Sequence, residues 1–426
     1  MGRSAPALRP RVVGGHENRR VSPGQAGSTK IVLSSEHLLF WCGFGMPPAR
    51  LPGLLTHAPS KGSRDVGGQR YPRRMTPGIV PPFLLDRLAS TDDPRMARAA
   101  EAARKTLAVP RPTRPTRSRL RLSVEGDTLV AETGPAPDRI ISDAANTENL
   151  PGRRVRSEDD GPSGDTAVDE AYDGLGETYD FFWDAFARDG IDAAGGSLLA
   201  TVHFGDDYDN AFWNGERMVF GDGDGEVFVG FTRSLSVIAH ELGHGVTEAS
   251  GGLEYQGQSG ALNESLSDVF GALAEQHHRS QSADEASRLI GAGIFAAAVQ
   301  GEALRSMKAP GTAYDDDVLG KDPQPGHMRD YVETTDDNGG VHINSGIPNK
   351  AFYLAATALG GFAWERAGLI WYRTITAGTL SPTADFSAFA TATLSAAASE
   401  YGEKSEEVAA VRAAWAGVGV EEDAAA

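Results

Sequence analysis

Hydrophobic spacing changes character near residue 230. Upstream, short apolar runs alternate with turn residues. Leu198-Leu199-Ala200-Thr201-Val202-His203-Phe204 and Arg217-Met218-Val219-Phe220 read as strands, and Thr128-Leu129-Val130-Ala131 as a shorter one. The stretch from Asp165 to Asp189 reads as a helix, and its Tyr172, Tyr179, Phe181, Phe182, Trp183 and Phe186 mark it for core packing. Gly221-Asp222-Gly223-Asp224-Gly225 reads as a tight strand turn, because it lacks the spacing and the closing Glu of an EF-hand calcium loop. Downstream, Val237, Ile238 and Leu242 give an apolar side to a helix that opens at Ser234 or Ser236 and stops before Gly251-Gly252. A second helix is expected around Ala261–Phe270. Four Ala-rich segments follow, from Ile347 to Leu359, Trp364 to Ile375, Asp385 to Tyr401 and Ser405 to Trp415. The pattern predicts an α+β chain with a β-rich lobe, then a mainly helical one, meeting near the central helix. Clefts between lobes are common substrate sites.

Before residue 120 the chain is different. Residues 1–74 are rich in Arg, Gly, Pro and Ser without a sustained period, and are expected to be disordered. A second possibility is that translation starts at Met75. Residues 90–120 turn into a Pro/Arg-rich run, Val109-Pro110-Arg111-Pro112-Thr113-Arg114-Pro115-Thr116-Arg117, expected to be a linker and a cleavage zone. Charge follows the same division. Residues 1–120 hold 21 basic and 7 acidic side chains, leaving 19 basic and 51 acidic for the rest. That suggests a basic leader on an acidic body. The arm lacks interleaved aromatics or a folded motif, and the body would repel phosphates, so no nucleic-acid partner is expected. The lone Cys42 excludes an intramolecular disulfide. No run reaches 18 apolar residues, so no membrane span is indicated. The most apolar early stretch, Ile31 to Met46, lacks the cleavage pattern of a secretory signal.

The chemistry concentrates on the central helix, which carries His240-Glu241-x-x-His244. Histidines four apart share one helix face, so both imidazoles can reach one tetrahedral Zn²⁺. Glu241 is placed to take a proton from a metal-bound water. A third ligand must come from another element. Asn263-Glu264-x-x-x-Asp268 offers Glu264 for that role, with Asp268 and Asn263 left to hold the ligands from behind. His277 and His278 diverge on a helix and are expected to be solvated; His203 and His327 show no partner pattern.

From about Asp138 to Val420 the chain resembles the thermolysin-like metallopeptidases. The motifs are Asn210-Ala211-Phe212-Trp213-Asn214-Gly215, Gly221–Gly225, His240-Glu241-Leu242-Gly243-His244, Gly260-Ala261-Leu262-Asn263-Glu264, and Asp337-Asn338-Gly339-Gly340-Val341-His342-Ile343-Asn344-Ser345-Gly346. The two-His, one-Glu ligand set is thermolysin's own. The resemblance implies the two-lobed fold, one Zn²⁺ per chain, and hydrolysis of internal bonds in protein or peptide substrates. It implies that Tyr255 and His342 stabilise the oxyanion, with Asp337 orienting His342. Asn210, the carbonyl of Ala211 and Arg305 would hold the substrate backbone. Phe228, Phe231, Val237, Ile290, Ile294 and Leu304 would line a pocket for a bulky apolar residue after the cleavage point.

Met75-Thr76-Pro77-Gly78-Ile79-Val80-Pro81-Pro82-Phe83-Leu84-Leu85 is similar to the short propeptide of the protealysin-like branch. The expected domains are a leader at 1–74, a propeptide and linker at 75–119, and peptidase lobes at 120–252 and 253–424. Phe83 is the expected anchor of the propeptide, and the chain's own propeptide an expected partner. A monomer is expected. Family resemblance implies secretion, while the missing signal leaves a cytoplasmic location or non-classical export as the alternative.

The sequence departs from the family's double calcium site. Glu275 is kept, but Ser236 stands four residues before His240, and Ser287-Arg288-Leu289-Ile290-Gly291-Ala292 offers no carboxylate. Calcium binding stays open, and the double site is put in doubt. Two other functions compete with an endopeptidase made as a zymogen. An aminopeptidase would need an acidic group for a free amine, and no motif supplies one. A silent zinc-stabilised binding protein would be expected to lose Glu241, Tyr255 or His342, and all three are present.

Overall fold

The computed structural model describes residues 31–33, 78–109, 122–125, 128–131 and 136–421. They fall into two compact units. In the first, β1 (Ile31–Leu33), β2 (Leu122–Glu125) and β3 (Thr128–Ala131) form an antiparallel sheet in the order β1-β3-β2. Strand β3 is the short strand expected at Thr128–Ala131, and it pairs with the apolar triplet of β1, which falls in the leader expected to be disordered. The remainder of residues 1–74 and the Pro/Arg run at 110–121 lie outside the described residues.

The second unit opens with α1 (Pro82–Ala89) and α2 (Ala97–Ala108). Proline suits the first turn of α1, where its missing N–H costs nothing. Leu84, Leu85 and Leu88 face inward from α1, and Ala99, Ala100, Ala102 and Ala103 from α2. For residues 97–108 the expectation of a linker is therefore corrected. Alanines favour helix strongly, and here they also supply a buried face.

A five-stranded mixed sheet follows, in the order β5-β4-β6-β8-β7, from β4 (Arg139–Thr147), β5 (Arg153–Ser157), β6 (Leu198–Phe204), β7 (Ala211–Trp213) and β8 (Met218–Phe220). Strands β4, β6 and β8 run parallel to their neighbours in that central trio, while β5 and β7 are antiparallel edges. Helix α3 (Thr166–Phe186) packs on the sheet, capped by the Asp165 carboxylate, which accepts from the N–H groups of Ala167 and Val168. Strands β4 and β5 escaped the sequence reading; three of the five residues of β5 are arginines. Charged residues suit an exposed edge strand, where they discourage further pairing.

Two long helices form the centre, α4 (Leu235–Ala249) and α5 (Gly257–His278). Both are buried almost all round, from Ser236 to Thr247 and from Ser259 to Gln276. Their close approach depends on glycine. A Cβ on Gly271 would stand 2.5 Å from the Ser236 carbonyl oxygen, and one on Gly243 3.0 Å from the Ser267 Cα. The short strands β9 (Leu289–Ile290) and β10 (Arg305–Ser306) pair beside α5. The helical lobe is completed by α6 (Asp337–Asn344), α7 (Gly346–Leu359), α8 (Leu369–Thr376), α9 (Phe386–Tyr401) and α10 (Glu406–Gly417). One continuous apolar core joins residues from Ile79 to Val420.

Candidate active site

Helix α4 presents His240 and His244 to α5. Their Nε2 atoms stand 3.0 Å apart, and each lies 3.5 Å from a different oxygen of Glu264. Behind them, His240 Nδ1 donates to Asp268 Oδ1 at 2.8 Å, and His244 Nδ1 to Asn263 Oδ1 at 2.8 Å. With the Nδ1 protons fixed outward, both Nε2 lone pairs point at one spot. Two lone pairs 3.0 Å apart repel, and the buried Glu264 Oε2 has no hydrogen-bond partner. A cation between these donors resolves both problems, so the three residues fit Zn²⁺. Among the described residues this is the one group of three or more His, Cys, Asp or Glu side chains with ligand atoms within 4.8 Å. Burial pulls His244 down to about 4, which keeps its imidazole neutral and able to ligate. Glu241, next to His240 in the chain, is fully buried on the same helix.

Asp268 is the hub behind the His-His-Glu cluster. It accepts from His240 Nδ1, from Arg305 Nε and Nη2 at 2.8 Å each, and from Asn349 Nδ2 at 2.8 Å. Burial alone would raise its pKa, but Arg305 and His240 outweigh burial and hold the carboxyl well below the usual range. Asn349 and Ser267, whose hydroxyl lies 3.0 Å from His244 Nδ1, were not foreseen. Asn349, fully buried with Ile347, Ala351 and Phe352 on α7, offered little signal, since Lys350 beside it made the pair read as surface.

The second group comes from α6 and the loop before α5. Asp337, Asn338, Gly339 and Gly340 all take left-handed φ values, from 51° to 84°, and this kinked start delivers His342 inward. Asp337 grips it twice, through the ring Nδ1 at 2.6 Å and the main-chain N–H at 2.9 Å. Burial opposes a charge on His342, but Asp337 and Glu264 push its pKa up to about 9. Tyr255 lies 3.3 Å from His342 Nε2 and donates its hydroxyl proton to Glu264 Oε1.

The predicted backbone-holding residues converge on a segment of the chain itself. Ile79 N donates to the Ala211 carbonyl at 3.0 Å, and Arg305 Nη1 donates to the Ile79 carbonyl at 2.9 Å. Val80 N donates to Asn210 Oδ1 at 2.9 Å, and Asn210 Nδ2 donates back to the Val80 carbonyl at 3.0 Å. His342 Nε2 lies 2.9 Å from the Gly78 carbonyl. Phe228, Phe231, Val237, Ile290, Ile294 and Leu304 are all buried, in the same cluster as Ile79 and Val80. Phe83 is only half-buried, whereas Ile79, Leu84 and Leu85 are fully buried. The anchor expected at Phe83 is thus corrected. Phe83 packs against the core only from its margin, while Leu84, Leu85 and Leu88 form the fully buried face of α1.

Other sites differ from expectation. His277 packs between Phe181 and Trp364, with ring centroids at 5.9 and 5.3 Å, rather than standing in solvent. His203 has partners after all, Asp222 at 2.8 Å and Asp165 at 3.2 Å. Ser236 Oγ accepts the Gly291 N–H at 3.0 Å, and Glu275 pairs with Arg279 at 2.9 Å.

A buried His-His-Glu cluster beside a carboxylate, set on the helix pair between a β-rich and a helical lobe, defines a zinc peptidase. Comparison with known proteins agrees. Residues 131–248 match the family described as thermolysin metallopeptidase, catalytic domain, and residues 251–420 match the thermolysin metallopeptidase alpha-helical domain. An extracellular metalloprotease of Pectobacterium carotovorum is 50% identical over 356 residues, spanning 80% of this chain and 96% of that protein. Protease PrtS of a Photorhabdus species is 51% identical over 284 residues, 66% of this chain and 76% of its own length. The solved precursor of protealysin from Serratia proteamaculans matches with a TM-score of 0.73 and 50% identity, covering 81% of this chain and 100% of that one. The chain belongs to the thermolysin metallopeptidase family, on its protealysin-like branch, and is a zinc-dependent metalloendopeptidase.

Proposed function

We propose that this enzyme cleaves internal peptide bonds with the residues assembled above, and that it is held inactive by its own segment at Gly78–Val80. Zinc on His240, His244 and Glu264 would supply a water acidic enough to attack at neutral pH. Glu241 takes a proton from the attacking water and passes it to the leaving amine. His342 and Tyr255 donate to the oxygen that gains charge, and Asp337 keeps His342 oriented and protonated. Asn210, Ala211 and Arg305 hold the substrate main chain. The buried apolar residues beside them favour a bulky apolar side chain after the cleavage point, since such burial contributes about 1.5–3 kcal/mol.

The observation that carries this reading is the set of hydrogen bonds to Gly78, Ile79 and Val80. The same groups expected to hold a substrate hold this segment. Residues 75–119 would accordingly be a propeptide with a cleavable linker, ahead of peptidase lobes at 120–252 and 253–424. Basic residues of α2 also meet acidic ones of the body, Arg98 with Asp207 and Lys105 with Asp206, both at 2.7 Å. We take the enzyme to be a monomer exported like its Pectobacterium relative, which is named as extracellular. Among the described residues no helix is long and apolar enough to cross a membrane. The test is Glu241→Gln, which should keep one zinc per chain and slow hydrolysis of a blocked peptide by about 10²–10⁴-fold, the range of general-base catalysis. Full activity in that variant would refute the mechanism.

A further inference from the structure

The segment in the active site does more than cover it. The Gly78 carbonyl oxygen is 2.9 Å from His342 Nε2, and that nitrogen is 3.3 Å from the Tyr255 hydroxyl and 3.5 Å from the zinc ligand Glu264. The next residue offers its N–H to Ala211 and its carbonyl to Arg305; the one after places both main-chain groups on the Asn210 amide. A plug needs only bulk. Here successive main-chain groups meet, in chain order, the donors and acceptors assigned to a substrate, and the carbonyl at the metal end is the one on the oxyanion donors. We propose that the enzyme hydrolyses its own Gly78–Ile79 peptide bond in cis. The inference rests on the peptidase reading above.

The step consumes one water and nothing else. Water oxygen adds to the Gly78 carbonyl carbon as Glu241 takes one of its protons. The C–N bond then breaks, and the proton passes to the Ile79 nitrogen. Gly78 leaves as a carboxylate and Ile79 keeps a free amine. Gly78 has no side chain to hinder attack, and Ile79 supplies the bulky apolar residue after the bond. Gly78, Ile79 and Val80 are all buried, so a second enzyme molecule has no access to the bond.

Cleavage there does not open the site. Beyond Val80 the segment stays attached through the buried leucines of α1, and through Thr106 of α2, whose hydroxyl accepts the Asp209 N–H at 2.9 Å. The chain ahead of Ile79 is no longer covalently joined to it, and Ile79 remains as the head of a bound product that still blocks substrate. Full activity then waits for a second cut in the linker.

The test uses the full chain with Arg111, Arg114, Arg117 and Arg119 replaced by Gln, so that the linker survives, followed by intact mass and N-terminal sequencing. The expected result is a new N-terminus at Ile79, formed at a rate unchanged by dilution. Zinc-stripped chain should stay uncut and resume cleavage when zinc returns, and Glu241→Gln should stay uncut with zinc bound. Ile79→Asp places a charge at a buried apolar position and should slow the cut by roughly 100-fold. The same variant with its natural linker, trimmed by an arginine-directed protease, should hydrolyse a blocked peptide at the ordinary rate. An intact Gly78–Ile79 bond in a chain whose trimmed form is active overturns the inference and leaves the peptidase reading standing. So does cutting at the same bond in Glu241→Gln. A trimmed form inactive on every peptide overturns both.

Discussion

Replacing Ile79 by Ala should make the uncut precursor leak. The Ile79 side chain is 0% exposed, whereas its main chain is held by Ala211 and Arg305 at 3.0 and 2.9 Å. Those hydrogen bonds do not involve the side chain, so the substitution removes apolar burial alone. Three carbons at about 0.8 kcal/mol each give roughly 2.4 kcal/mol. Cavity formation can bring such replacements to about 2–5 kcal/mol. Because the loss falls on the closed state and spares the open one, the closed-to-open ratio should drop by roughly 50-fold or more, at about 1.4 kcal/mol per decade. The assay is the initial rate on a small blocked peptide, using precursor with its linker arginines replaced and scaled to the mature enzyme. Ile79→Leu, which conserves volume, should shift the leak by less than about tenfold. A leak in Ile79→Ala equal to that of the parent would show that the side chain does not hold the segment. Closure would then rest on α1 and α2 alone.

Three further outcomes are expected. Asn349→Ala removes a donor to the Asp268 carboxylate and should weaken zinc retention by about 10–100-fold, read by competition with a chelator. His203 is raised to about 9, chiefly by its hydrogen bond to Asp222, with burial opposing and Asp165 adding to the rise. Its contribution to stability is therefore complete below the unfolded value near 6.5 and is lost as pH climbs through 9. Thermal unfolding between pH 6 and 10 should show that loss, and His203→Gln should flatten it. Finally, a calcium-selective chelator should leave the melting temperature unchanged, because the Ser236 hydroxyl ties the Gly291 N–H where a carboxylate would be needed for a double site. Release of two calcium ions with a large drop in melting temperature would refute this.

Much of the site could be read from spacing. His240 and His244 share a helix face by the geometry of the α-helix alone, and Glu264 and Asp268 share one in the same way. Such local periodicity belongs to the chain and needs no tertiary contact to be seen. The helical lobe was legible for a related reason, since Ala-rich stretches carry their preference residue by residue. The β4–β5 edge was not legible, because the arginines of β5 carry no strand signal of their own and pair only with β4. Helix α2 was hidden by the Pro/Arg run that follows it. Helix α5 was foreseen as a shorter element, since burial on every face erases the amphipathic signal that marks helix ends.

The sequence by itself thus pointed to His240, His244 and Glu264 as one cluster with Glu241 beside it, to Asp337 as the partner of His342, and to the two-lobed class. Only the tertiary structure decided what stands against those residues. Gly78 lies 264 positions from His342, and Ile79 lies 226 from Arg305. No local preference encodes a hydrogen bond across such distances. It exists because the buried leucines of α1 and the alanines of α2 hold their helices against the body, and that docking sets one peptide bond of the segment beside His342 and Glu264.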